Sequence, residues 1–60
     1  MGKVTYEVER NKKFGDYRVV QYVNGKYENE RDNNWSRNKA YQVRKAVMSG
    51  AVDFEFCDDE

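Results

Sequence analysis

Tyr17-Arg18-Val19-Val20-Gln21-Tyr22-Val23-Asn24-Gly25-Lys26-Tyr27 decides the fold. The first seven residues are rich in β-branched and aromatic side chains, which favour a pleated surface. Apolar groups fall on both faces (Val19 and Val23 against Val20 and Tyr22), as expected of a central strand. Asn24-Gly25 follows, and both central residues of a type I′ turn need positive φ, which Asn and Gly tolerate. A two-residue hairpin is therefore predicted, with Val23 opposite Lys26 and Tyr22 opposite Tyr27 as an aromatic cross-strand pair.

Upstream, Lys3 to Glu9 alternates with period two: Val4, Tyr6 and Val8 point one way, and Lys3, Thr5, Glu7 and Glu9 the other. The polar run Asn11-Lys12-Lys13-Phe14-Gly15-Asp16 turns this strand into the central one. Downstream, Lys26 to Arg31 predicts a charged edge strand, broken by Asp32-Asn33-Asn34. Ser36 is placed to cap a helix, with Trp35 packing back on Ala40 as a staple. The helix is predicted from Arg37 to Met48 and stopped by Ser49-Gly50, with Ala40, Val43 and Val47 on its core stripe. Ala51 to Cys57 alternates again, which predicts a fourth strand with Val52, Phe54 and Phe56 inward and Asp53, Glu55 and Cys57 outward. The expected fold is α+β: a small antiparallel sheet in the order β-β-β-α-β, with one helix packed on one face. The 60 residues form a single domain, 1–60, with an acidic C-terminal strand and tail at 53–60.

Composition narrows the function classes. Leu and Ile are absent, so Val, Ala, Met and nine aromatics must supply a core at the lower size limit for independent folding. With no His there is no imidazole base, and one Cys without His cannot hold structural zinc. The glycines are isolated, so no phosphate-cradling loop is present. A non-enzymatic chain without cofactor or metal is expected. The lone Cys57 argues for a reducing cytoplasm, and no apolar run reaches the length of a membrane span.

Charge is segregated although it sums to zero. Residues 1–52 carry 11 Lys/Arg against 6 Asp/Glu, while 53–60 hold five acids and no base. Two surfaces are candidates for contacting a protein partner. One is the helix stripe Arg37, Tyr41, Arg44 and Met48, residue types enriched at interfaces. The other is the acidic strand with Asp53, Glu55, Asp58 and Asp59, which as a sheet edge would suit a partner with a basic surface. A third set combines cations and aromatics in the manner of nucleic-acid binders: Lys12, Lys13, Arg18, Tyr22, Lys26, Tyr27 and Trp35. Glu7, Glu9, Glu28 and Glu30 interrupt it, and a pI of about 6.3 is low for that class. Self-association into a homodimer is a third reading, since a small core gains from it.

The helix ending Val43-Arg44-Lys45-Ala46-Val47, followed by a strand closing on Phe56-Cys57, resembles small phage-encoded inhibitor and antitoxin proteins of the Dmd type over Lys39 to Cys57. That resemblance implies a protein that blocks a host or defence enzyme by occlusion, in the host-cell cytoplasm. The layout Tyr6-Glu7-Val8, Gly15-Asp16-Tyr17-Arg18, Asn24-Gly25-Lys26 and Trp35-Ser36 is similar to integrase arm-binding domains over residues 6–48. It implies a three-stranded sheet read into a DNA groove.

Overall fold

The computed structural model describes residues 2–59, with side chains through Cys57. Its elements are β1 (Val4–Arg10), β2 (Tyr17–Val23), β3 (Lys26–Trp35), α1 (Arg37–Met48) and a 3₁₀ segment, Phe54–Asp59. The three strands form one antiparallel sheet in the order β1-β2-β3, so β2 is central as its two apolar faces predict. The fold is small α+β, with α1 across one face of the sheet. Asn24 (φ 55°) and Gly25 (φ 78°) turn the hairpin and set Val23 against Lys26 and Tyr22 against Tyr27. The Ser36 side chain accepts from the Lys39 N–H, and α1 starts and stops where its caps place it.

Two expectations are corrected. The third strand does not end at Arg31. The run Asp32-Asn33-Asn34 becomes a bulge: Arg18 still faces Asp32, but Tyr17 faces Trp35. Asn34 takes φ 53°, a left-handed conformation that Asn tolerates, and its N–H donates to Asp32 Oδ1 at 3.1 Å. These polar residues thus absorb the extra length, and pairing resumes at Trp35.

The predicted fourth strand is also absent: the segment from Ala51 to Cys57 adds no strand to the sheet. At the end of α1 the N–H groups of Ala51 and Val52 both donate to the Ala46 carbonyl, at 2.9 and 3.3 Å, which holds the chain against the helix. It then coils into the 3₁₀ segment, where residues three apart eclipse one another. Phe54 and Cys57 therefore turn inward together, 7% and 0% exposed, while Phe56 points out at 60%. The alternation predicts the reverse, with Phe56 inside and Cys57 outside.

The core lies between the sheet and this second layer. Val19, Trp35, Ala40, Val43, Val47, Phe54 and Cys57 form it, with Tyr6, Val8, Tyr17 and Val52 packed around. Helix α1 covers mainly β1 and β2, and the 3₁₀ segment covers β3. The Phe54 ring lies 5.3 Å from that of Tyr6, and the Arg31 guanidinium stands over it at 5.8 Å.

Candidate functional site

One face of the sheet carries the helix and the 3₁₀ segment, and the other carries no element of the described chain. The register fixes what that open face displays. Glu7 pairs with Val20, Glu9 with Arg18 and Thr5 with Tyr22 on one side of β2; Tyr27, Glu30 and Asp32 pair with Tyr22, Val20 and Arg18 on the other. Paired residues share a face, so carboxylates of both outer strands flank the single guanidinium of the middle one. Glu7, Glu9, Glu30 and Asp32 set four acids against Arg18.

These groups form one connected network. Arg18 Nη1 donates to Glu30 Oε2 at 3.1 Å, and Nη2 stands 3.9 Å from Glu9 Oε1. The second oxygen of each glutamate is also engaged: the Tyr22 hydroxyl donates to Glu9 Oε2, and the Tyr27 hydroxyl to Glu30 Oε1 at 2.8 Å. Tyr22 reaches Glu9 across the intervening Val20 pair, and Val20 is 1% exposed although it lies outside the main core. Glu7 and Asp32 make no ion pair among the described residues. The three networked charges remain about a third exposed, so their pairing does more to fix geometry than to add stability.

The hydrogen bond to Glu9, with added burial, raises the pKa of Tyr22 above that of a free phenol, and the bond to Glu30 does the same for Tyr27. A carboxylate acceptor favours the protonated phenol. Both groups have raised pKa values in the fold, so their contribution is fully present below pH ~10 and is lost as pH rises through the raised values. Ultraviolet titration of phenolate absorbance should show two late-ionising tyrosines. Tyr22→Phe and Tyr27→Phe should each remove one late component; if either leaves the late phase intact, its bond to the carboxylate does not persist in solution.

The predicted helix stripe is divided in role. Tyr41 and Met48 are 47% and 56% exposed, and Arg37 stacks over the Tyr41 ring at 5.6 Å. Arg44 instead reaches back to the sheet, its Nε donating to the Tyr6 carbonyl at 2.6 Å. Asp53, just before the 3₁₀ segment, and Glu55, within it, are exposed and lie on no strand edge. The side chains of Asp58 and Asp59, and all of Glu60, lie outside the described residues.

The nucleic-acid set is brought together only in part: Arg18, Tyr22 and Tyr27 share the open face, and the others do not join them. Trp35 is 4% exposed within the core and offers no stacking surface. Arg18 is engaged by glutamates, and Tyr22 and Tyr27 donate to the same carboxylates. Lys12 and Lys13 belong to the β1–β2 connection, and Lys26 sits at the hairpin turn. The carboxylates that only interrupted a basic patch in the sequence are the organising groups of the face. Their signal was the shared parity of Thr5, Glu7 and Glu9, extended across the Tyr22–Tyr27 register. Among the described residues there is no pocket, and no group of three ligating side chains that could hold a metal ion. Among the described residues no helix is long and apolar enough to cross a membrane. No protein-family model, curated protein or solved structure matches the chain.

Proposed function

We propose that this chain is a non-enzymatic protein-binding module that covers a basic surface of another protein and blocks it by occlusion. The observation carrying this reading is the open sheet face, which sets four carboxylates against one guanidinium, with two of them, Glu9 and Glu30, held by tyrosine hydroxyls. Charges held in place on an open sheet face offer a basic partner complementarity with less side-chain ordering on binding. Tyr27, 56% exposed beside Glu30, adds apolar area of the kind interfaces favour. An inhibitor of a host or defence protein is the use such a face suits. The nucleic-acid reading has less support, because a face with four acids to one base repels phosphates.

The test is affinity capture from a bacterial lysate, with and without nuclease treatment, using the native chain and Glu7→Lys/Asp32→Lys. Both positions are exposed and outside the ion-pair network, and because Asp32 also accepts from the Asn34 N–H in the β3 bulge, circular dichroism of the variant checks that the fold is retained. One protein captured in stoichiometric amount by the native chain, and roughly tenfold less by the variant, is expected. Undiminished capture by the variant would remove the face from the mechanism, and capture lost to nuclease would favour nucleic acid.

A further inference from the structure

The outer edge of β1 has an orientation that can be read from its ends. Asn24 N–H donates to the Lys3 carbonyl at 2.8 Å, and Asn11 N–H to the Asp16 carbonyl at 2.7 Å. In an antiparallel ladder the bonded pairs alternate, so Thr5, Glu7 and Glu9 also bond to β2. The backbone groups of Val4, Tyr6, Val8 and Arg10 consequently face away from the sheet. Their side chains lie on the helix side, where Val4 is 47% exposed.

That edge is overhung by α1. Arg44 donates to the Tyr6 carbonyl, so the flank of the helix carrying Arg44 lies along the outer side of β1. Arg37, Tyr41 and Met48 share this flank by their spacing of four, three and four residues. A row of outward-facing backbone groups is therefore bordered by a wall with two exposed apolar side chains and two guanidinium groups. The β3 edge, by contrast, is bulged in two places and poorly suited to pairing.

We infer that the β1 edge and the overhanging flank of α1 form a docking site for an extended peptide segment, which adds as a fourth strand. An added strand would lie about 4.8 Å from β1, with alternate side chains directed toward the helix. Those side chains are acidic or apolar, to meet Arg37, Arg44, Tyr41 and Met48. The intervening ones are polar or basic, since they lie beside Glu7 and Glu9. Arg44 gives up the Tyr6 carbonyl to the incoming N–H and pairs with an acidic side chain of the segment. A second copy of this chain fits less well: two-fold pairing of β1 with β1 would put both helices on one side and bring their arginine-bearing flanks together. The site adjoins the acidic face at Glu7 and Glu9, but its backbone pairing and its contacts with α1 do not depend on that face, so either reading can fail without the other.

Amide hydrogen exchange of the intact chain tests this, using a blocked octapeptide in which Lys alternates with Glu and Val. Peptide should slow exchange at Val4, Tyr6, Val8 and Arg10 roughly tenfold and leave Thr5, Glu7 and Glu9, already bonded to β2, little changed. The same peptide N-methylated at the β1-facing residues should have no effect. Unslowed exchange at the four amides, or equal protection by the N-methylated peptide, would overturn the proposal. Protection that rises with protein concentration alone would assign the edge to a second copy and overturn it equally.

Discussion

Trp35→Ala should remove roughly a third or more of the chain's stability at 25 °C. Trp35 is the largest side chain of the core, 4% exposed, and it joins the last pair of the sheet to the start of α1. Truncating a buried Trp costs about 3–5 kcal/mol, through lost burial and the cavity left behind. A domain of this size has on the order of 3–9 kcal/mol in total. No Leu or Ile is present to repack the gap. The Trp35 ring nitrogen is buried without a hydrogen-bond partner among the described residues, so its role is volume and shape. Trp35→Phe should therefore fold and lose less stability than the alanine variant. Urea unfolding followed by far-ultraviolet circular dichroism measures both. A Trp35→Ala protein that still unfolds cooperatively within ~1 kcal/mol of the native chain would move the centre of the core elsewhere.

What the sequence made legible follows from how local each signal is. The hairpin rests on two adjacent residues with an unusual φ requirement, and α1 on a cap and a stop that each act within one turn. Both are settled by neighbours a few positions away, and both were readable. The bulge at Asn33 and Asn34 was not, because the same polar run that ends a strand in isolation can be bridged when Trp35 is anchored in a core beyond it. The open face was half readable: alternation assigned Glu7 and Glu9 to one side of β1. Their juxtaposition with Glu30 needed the register of all three strands, including a shift between Gln21 and Tyr22. Arg44 carried no signal for its bond to Tyr6, a contact across 38 residues made by a long side chain at a helix flank. The same spacing that marked Arg37, Tyr41, Arg44 and Met48 as one stripe could not say which part of the sheet lay beneath it.

Phe54→Ala and Phe56→Ser should differ sharply, and the difference discriminates between two periodicities in one short stretch. Val52-Asp53-Phe54-Glu55-Phe56-Cys57 satisfies period two, with both phenylalanines on one side, and also period three, which joins Phe54 to Cys57. A strand would make the two phenylalanines equivalent. In the 3₁₀ segment they are not: Phe54 is 7% exposed against Tyr6 and Arg31, and Phe56 is 60% exposed. Phe54→Ala should cost about 3–4 kcal/mol, enough to remove most of the stability of the chain, because it uncovers the β3 half of the sheet as well as leaving a cavity. Phe56→Ser should change stability by no more than ~0.5 kcal/mol, as expected of a surface position. Thermal melts of the two variants decide the point. Comparable losses would restore the alternating strand and with it an acidic sheet edge. A large loss for Phe54 alone means that the segment after α1 closes the core, leaving β1 as the regular sheet edge open to pairing.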